Sequence, residues 1–237
     1  MALDHALMRR AARTGDAVLR VYAWAEPTLS LGRNQTARGR YDLQRATEAG
    51  VAVVRRPTGG RAVLHWREIT YSVTAPVGPL GSLRESYGWI NRLLVDGLRR
   101  IGVDAYIAGR TGAPPTPGLT PCFEEPVAGE LCAGGRKLVG SAQVREHDVL
   151  LQHGSILVDD DQELASALLI APAPPPPRPA TLRALLGRAP SLDEVAGALA
   201  AALGDPGAEP LQPDAALSRD ERELRALYDD PAWTWRR

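Results

Sequence analysis

The chain has 237 residues, 44% of them hydrophobic and 24% charged, with 28 acidic and 28 basic side chains. This length is sufficient for one sizeable hydrophobic core with a small appendage. The sequence has no apolar run of about 18 residues, which argues against a membrane span. It also has no long basic block, which argues against a dedicated nucleic-acid binder. The amino end has an amphipathic pattern rather than that of a signal peptide, so we expect a cytoplasmic protein.

The elements along the chain predict an α+β fold. Helical periodicity is present in residues 2–14, in residues 41–50 and in SLRESYGWINRLLVDGLRRIG, where Ser82 is a plausible N-cap. Helices interrupt the strands irregularly, which favours a mixed, largely antiparallel sheet flanked by helices. Strands are predicted in VLRVYAW, TLSLG, VAVVRRP, ITYSVTA, VDAYIAG, GELCA, RKLVGSAQVR and DVLLQHGSILVD. The alternation in ITYSVTA is typical of a half-buried strand.

Three segments are expected along the chain. Residues 1–170 are expected to form an α+β domain, and the tract APAPPPPRPAT at 171–181 a stiff, extended linker. Residues 182–237 contain three helical patterns and form a small helical tail. A loop rich in proline and glycine, GRTGAPPTPGLTPCFEEPVAG, interrupts this α+β domain, and long ordered loops of this kind are often functional.

Lys137 is the only lysine among the 28 basic residues. Either one lysine survived an arginine bias by accident, or this position needs a compact ammonium that a planar guanidinium cannot imitate. The Gly134-Gly135 pair beside it predicts a two-residue hairpin. Alternation along the second strand predicts that Lys137, Val139 and Ser141 share a face.

The stretch RRPTGGRAVLH contains a turn, Thr58-Gly59-Gly60, between basic residues. Glycine there allows positive φ and close approach of a ligand. Arg55, Arg56 and Arg61 can face a carboxylate or a phosphate, or they can be solvated side chains on an ordinary hairpin turn. The stretch does not contain the GxxxxGK[ST] pattern of a phosphate-binding P-loop.

The two cysteines are too few and too far apart for a zinc site or a disulfide framework, so we predict no metal. Cys132 lies in a predicted strand, where a free cysteine usually packs as a small hydrophobe. Cys122 lies in the proline-rich loop, where a substrate can reach a thiolate. The residue type alone leaves Cys122 open as a nucleophile or as filler.

Taken together, RRPTGGRAVLH, GRKLVGSAQVR and LLQHGSILVD resemble the biotin/lipoate protein ligase family, and YAWAEPTLSLGRNQ resembles its amino-terminal strand pair. The octanoyltransferase branch is the most similar, because PCFEEP resembles the segment that carries the nucleophilic cysteine there. The resemblance covers about residues 1–170 and implies the catalytic-domain fold of that family. It identifies Cys122 and Lys137 as catalytic residues. The substrate-binding residues that it implies are Arg56, Thr58, Gly59, Gly60, Ala62, Val63, His65, Gly140, Ser141, Ala142, Gln143, His153 and Gly154.

The resemblance also implies a reaction. An octanoyl or lipoyl group would pass from acyl carrier protein, through a cysteine thioester, to a lysine of a lipoyl domain or of the glycine cleavage H protein. No tightly bound cofactor is expected. The alternatives are an ATP-dependent lipoate or octanoate ligase, which would need ATP and Mg²⁺ and would turn Arg55 and Arg61 toward the adenylate phosphates, and a non-enzymatic acyl-binding relative.

Overall fold

The computed structural model describes residues 1–109, 129–171 and 177–237. Within these ranges six strands form the larger sheet, in the order β1-β5-β9-β8-β7-β6, and three form a smaller sheet, in the order β3-β2-β4. The strands are β1 (Val18–Tyr22), β2 (Thr28–Leu31), β3 (Ala52–Arg55), β4 (Val63–His65), β5 (Glu68–Pro76), β6 (Tyr106–Ile107), β7 (Leu131–Ala133), β8 (Arg136–Glu146) and β9 (Val149–Leu157).

The larger sheet is antiparallel at every described pairing. The smaller sheet is mixed, because β2 runs parallel to β3 and antiparallel to β4. The predicted mixed, largely antiparallel α+β architecture is therefore confirmed. The helices are α1 (Ala2–Thr14), α2 (Leu43–Glu48), α3 (Leu83–Arg100), α4 (Glu163–Ala167), α5 (Leu182–Leu186), α6 (Leu192–Leu203), α7 (Ala215–Asp229) and α8 (Pro231–Thr234), with a 3₁₀ turn at Gly78–Leu80.

Helix α3 begins where its sequence predicts. The Ser82 side chain accepts a hydrogen bond from the Glu85 backbone, and the Glu85 carboxylate accepts one from the Ser82 backbone. This reciprocal capping box satisfies two backbone donors that a helix start leaves without partners. The apolar stripe of the helix, which includes Ile90, Leu94 and Leu98, packs into the main hydrophobic cluster on one face of the larger sheet.

The hairpin between β7 and β8 is confirmed, with positive φ at both Gly134 (55°) and Gly135 (75°). Positive φ at both positions is the signature of a tight two-residue turn that matches the twist of antiparallel strands. The pairing register then shifts, because Cys132 pairs with Lys137 and Leu131 pairs with Val139. Leu138 is the extra residue, so β8 carries a β-bulge.

Strand β5 differs from its prediction. The alternation in ITYSVTA suggested one solvated face, but Glu68 through Ala75 are all buried. Helix α1 covers one face and α3 covers the other. Strand β4 and helix α4, of three and five residues, were not predicted. Such short elements provide too few periods for a pattern to be read.

Side chains from beyond residue 181 enter the same core. Leu182, Val195 and Leu199 belong to the cluster that α3 forms with the sheet. Gly97 of α3 makes this approach close, because a Cβ there would lie 2.5 Å from Cδ2 of Leu199. The predicted division at residues 170 and 181 remains a prediction, and residues 172–176 of the linker lie outside the described ranges. In the part of the chain that is described, none of the helices is long and apolar enough to cross a membrane.

Candidate functional site

A cavity lies where the two sheets meet. Strands β8 and β9 of the larger sheet supply one wall, and β2, β4 and the turn after β3 supply the other. The lining residues are Met1, Tyr22, Trp24, Ser30, Arg56, Gly60, Val63, His65, Thr70, Gly140, Ser141, Ala142, His153, Gly154 and Ser155.

One wall of the cavity is a hydrogen-bonded chain centred on His65. Its Nδ1 lies 2.7 Å from Oε1 of Glu68 and its Nε2 lies 2.7 Å from Oγ of Ser30. Because the carboxylate can only accept, this network assigns the proton to Nδ1, and Nε2 accepts from Ser30. The Trp24 ring stacks on His65 at 4.4 Å, and its Nε1 donates to Oγ1 of Thr70 at 2.8 Å. The polar groups of this wall are thus bonded to one another, and the indole presents an apolar surface to the cavity.

Arg56 holds the Thr58-Gly59-Gly60 turn closed. Its guanidinium donates to the carbonyl oxygens of Gly59 at 2.7 Å, Arg61 at 2.6 Å and Ser30 at 2.9 Å. Gly60 adopts φ 93°, and a Cβ at this position would lie 2.8 Å from Nη2 of Arg56. Glycine is therefore required here for both its backbone conformation and its small size.

Asp4, on α1, orders the opposite side of the cavity. Its carboxylate accepts from Arg20 at 2.7 Å, from Ser72 at 2.9 Å and from Tyr22 at 3.1 Å. Burial by itself would raise the pKa of Asp4, but His153, the amino terminus and Arg20 together hold it well below its usual range. The carboxylate therefore stays ionised although it is completely buried.

His153 lies between this carboxylate and the turn. Its Nδ1 is 3.6 Å from Asp4, and its Nε2 is 2.6 Å from Oγ1 of Thr58. Burial lowers the pKa of His153, although Asp4 opposes that shift. The imidazole is consequently neutral near pH 7 and can accept the Thr58 hydroxyl proton in a hydrogen bond.

Two glycines permit backbone contacts that no side chain would allow. A Cβ at Gly32 would lie 1.9 Å from the carbonyl oxygen of Gly60, and a Cβ at Gly154 would lie 2.4 Å from that of Gly140. The first contact joins the end of β2 to the glycine turn. The second brings β8 and β9 together where both line the cavity.

Arg55 does not face a ligand. Its side chain is fully buried, and it donates to the carbonyl oxygens of Thr234 at 2.8 Å, Gly32 at 2.5 Å and Gln35 at 2.8 Å. The expectation that a ligase would turn Arg55 toward adenylate phosphates is wrong for this structure. Successive side chains of an extended chain point to opposite sides, so Arg55 and Arg56 face different ways at the end of β3. Arg56 is the one that lines the cavity.

Lys137 is 3% exposed, and its Nζ lies 2.6 Å from Oε1 of Glu130. The prediction that it shares a face with Val139 and Ser141 is wrong. Paired residues of an antiparallel ladder project from the same side, so Lys137 lies on the side of Cys132 and Val139 on the side of Leu131. The bulge at Leu138 causes the difference. Lys137 is not among the cavity-lining residues.

The two cysteines differ in what the structure shows. Cys122 lies outside the described residues, within the gap at 110–128. Cys132 is buried on β7, and burial, reinforced by Glu130, raises the pKa of its thiol. A buried thiol with a raised pKa is a poor nucleophile near pH 7.

Most of the predicted substrate-binding residues lie together around the cavity. Thr58 reaches it indirectly through His153, whereas Gly59 and Ala62 do not line it. Gln143 points to the other face of the sheet, where it donates to Oγ of Ser86 at 3.0 Å. The roles of all these residues remain predictions. Cavity residues that are not among the predicted site residues are Met1, Tyr22, Trp24, Ser30, Thr70 and Ser155. For Thr70 a signal existed, because it belongs to the polar half of the alternation in β5.

Within residues 1–109, 129–171 and 177–237, no group of three or more His, Cys, Asp or Glu side chains is arranged to hold a metal ion. The prediction that the protein has no tightly bound cofactor remains a prediction.

Residues 1–204 match the family described as lipoyl protein ligase A/B catalytic domain. A protein from Kyrpidia tusciae named Octanoyltransferase LipM is 40% identical over 260 aligned positions, which cover 100% of this chain and 94% of that protein. A protein of the same name from Symbiobacterium thermophilum is 37% identical, and the alignment covers 97% of this chain and 89% of that protein.

Solved structures agree with these sequence relatives. A lipoate-protein ligase A bound with ATP has a TM-score of 0.79 at 26% identity, covering 99% of this chain and 92% of that one. A bipartite lipoate protein ligase from Thermoplasma acidophilum has a TM-score of 0.79 at 23% identity, covering 99% and 89% of the two chains, and this likeness concerns the fold alone. As its motifs predicted, the chain belongs to the lipoyl protein ligase A/B catalytic domain family.

Proposed function

We propose that this protein transfers an octanoyl group from acyl carrier protein to a lysine of a lipoyl domain, through a thioester on Cys122. The observation that carries the proposal is the cavity. Its polar wall groups are bonded to one another, so that an apolar chain can enter without leaving them unsatisfied. Relatives that share almost the full length of the chain are named octanoyltransferases, which supports the same assignment.

In the first step the Cys122 thiolate attacks the carbonyl carbon of the donor thioester. A new C–S bond forms, the C–S bond to the donor's phosphopantetheine breaks, and the released thiolate takes up a proton. This exchange of one thioester for another is nearly isoenergetic. Each buried methylene of the octanoyl chain adds about 0.8 kcal/mol of binding, which the cavity supplies.

In the second step the neutral ε-amine of the acceptor lysine attacks the octanoyl-Cys122 carbonyl. A C–N bond forms, the C–S bond to Cys122 breaks, and the amine proton passes to solvent while the thiolate is restored. The amide product is more stable than the thioester, which drives the reaction forward. We assign to the Lys137 ammonium the stabilisation of the negative charge that develops on the carbonyl oxygen in both steps.

Cys122 is proposed as the nucleophile rather than Cys132 because of the surroundings of Cys132. Its thiol is buried and its pKa is raised. The roles of Arg56 and His65 follow from their contacts. Arg56 fixes the glycine turn, and His65 supports Trp24 against the cavity.

The alternative is an ATP-dependent lipoate or octanoate ligase, which the likeness to the ATP-bound lipoate-protein ligase A favours. A ligase activates a free acid as an adenylate and needs no cysteine, whereas a transferase starts from a thioester that is already activated. The two functions therefore differ in donor and in cysteine dependence. A non-enzymatic acyl-binding relative would show neither activity.

The deciding experiment is intact-mass spectrometry after incubation with octanoyl-acyl carrier protein. We expect an adduct of about 126 Da on the wild-type protein and on Cys132→Ala, and none on Cys122→Ala. Parallel reactions with free octanoate, ATP and Mg²⁺ test the ligase by octanoylation of an apo lipoyl domain. An adduct that survives Cys122→Ala would refute the assigned nucleophile. ATP-dependent transfer without any adduct would establish the ligase, and the absence of both activities would leave the binding relative.

A further inference from the structure

The ion pair between Lys137 and Glu130 is the feature from which we draw a further inference. The Lys137 side chain is 2% exposed and the Glu130 side chain 17% exposed, and their charged atoms are 2.6 Å apart. A charge this deeply buried is costly unless an opposite charge and hydrogen bonds compensate for it. The carboxylate of Glu130 supplies such compensation to the ammonium.

The register of the hairpin between β7 and β8 brings this pair together. Glu130 and Cys132 are two residues apart, so they project from the same side of the chain around β7. The register places Lys137 opposite Cys132, on that same side. The Gly134-Gly135 turn sets this pairing, because Ala133 pairs with Arg136 and Cys132 with Lys137 before the register shifts at Leu138.

Two other titratable groups near the pair, Cys132 and Tyr87, are neutral. Burial is the main cause that raises the pKa of Cys132 on β7 and of Tyr87 on α3, and Glu130 raises both further while Lys137 lowers them. Both groups therefore remain protonated and uncharged through the neutral range.

We propose that Glu130 is a positioning residue, which fixes the Lys137 ammonium through their 2.6 Å contact and keeps it protonated while the acyl carbonyl is polarised. This inference rests on the proposed function, because it presumes that Lys137 acts on the acyl carbonyl. A lysine that has lost its proton cannot stabilise the developing oxyanion by its charge. Glu130 thus acts through Lys137 and extends the alkaline range in which the first acyl transfer occurs.

The test is the pH profile of the first half-reaction. Initial rates of Cys122 octanoylation are measured without acceptor, at saturating octanoyl-acyl carrier protein, from pH 6 to 9.5. For Glu130→Gln we expect the alkaline limb to move down by about one pH unit, because an opposite charge favours the ionised form of its neighbour by about that amount or more. The rate at pH 6.5 should change by less than about twofold, and the alkaline limb of Glu130→Asp should lie between those of the two other proteins.

Glu194→Gln is the matched control, since Glu194 forms an ion pair with Arg188 far along the chain on α6. Its profile should equal that of the wild type. A Glu130→Gln profile identical to the wild type, or a rate lowered equally at every pH, would overturn the positioning role. If Glu130→Gln does not fold, as judged by thermal unfolding, an unshifted limb in Glu130→Asp overturns the role instead. A wild-type protein that forms no adduct at any pH would refute the proposed function itself, which is a different result.

Discussion

The two faces of the larger sheet are both buried, yet they differ in chemistry. On the face under α3, strand β5 presents Ile69, Tyr71 and Val73, which pack with the apolar stripe of the helix. On the face under α1, the same strand presents Thr70 and Ser72, which bond to Trp24 and Asp4. One strand thus supplies an apolar core on one side and a polar wall on the other.

This difference separates stability from function. The apolar face removes large side chains from water, which is the main favourable contribution to folding. Polar groups on a buried face need hydrogen-bond partners, and the bonds on this face also fix the orientation of His65 and His153. Substitutions on the α3 face should therefore alter the free energy of unfolding, and substitutions on the α1 face should alter the cavity.

Leu94→Ala should have the largest effect. Leu94 is fully buried in the α3 cluster, and truncation of a buried leucine typically lowers the free energy of unfolding by about 2–5 kcal/mol. Urea unfolding measures the loss, and the rate of Cys122 octanoylation per folded molecule should stay near the wild-type rate. Leu83→Ala, at an exposed position of the same helix, should cost less than about 1 kcal/mol. Equal losses in the two variants would contradict the assignment of stability to the buried face.

Trp24→Ala should change the chain-length preference. Trp24 and Met1 line both the cavity and a wider surface groove beside it, so the indole closes the cavity at this end. Without it, four further methylenes can extend into the groove at about 0.8 kcal/mol each. The rate of acylation by dodecanoyl relative to octanoyl donor should rise by roughly tenfold or more.

Trp89→Ala, on α3 and 38% exposed, is the control for the loss of a tryptophan elsewhere. Its ratio of dodecanoyl to octanoyl rates should equal that of the wild type. If Trp24→Ala leaves the ratio unchanged, the indole does not limit the length of the acyl chain.

His153→Asn should have the smallest of the three effects, a change in how stability depends on pH. Burial lowers the pKa of His153, so the unfolded chain binds a proton at higher pH than the folded protein does. The stability that results is complete above the unfolded pKa near 6.5 and is lost as pH falls below it, by at most about 1.4 kcal/mol per pH unit. Urea unfolding between pH 5.5 and 7.5 should show a flatter slope for the variant. His5 and the amino group of Met1 contribute to the slope that remains, because burial lowers the pKa of both.

His147→Asn, at an exposed turn position, should keep the wild-type slope. A His153→Asn slope as steep as that of the wild type would mean that His153 takes up its proton in the folded protein as readily as in the unfolded chain.

Periodicity and turn chemistry were sufficient to predict the long elements. Helix α3 with its cap and the Gly134-Gly135 hairpin are specified by local interactions, which the sequence displays directly. The burial of β5 was predicted wrongly. Alternation shows that the two faces of a strand differ in chemistry, but in β5 both faces are covered by other parts of the protein. The sequence cannot distinguish a polar face toward water from a polar face toward Asp4.

The candidate site was predicted in part for a similar reason. Motif residues such as Gly60 and His65 do line the cavity, because the chemistry of the motif and its position coincide. Which of Arg55 and Arg56 faces the ligand depends on carbonyl groups of distant segments, including Thr234. The face of Lys137 depends on a bulge of one residue, and a period-two pattern carries no sign of it.

The contact of Gly32 with Gly60 determines how the cavity can respond to a ligand. Because the two backbones meet without a side chain between them, the glycine turn is already seated on β2 before any substrate arrives. Arg33 donates its backbone N–H to Thr58 at 2.8 Å beside this contact and adds a second link. This wall of the cavity is therefore ordered before an acyl chain binds, and little conformational entropy is lost on binding. The selectivity of the cavity for acyl chains therefore comes from its fixed dimensions rather than from induced fit.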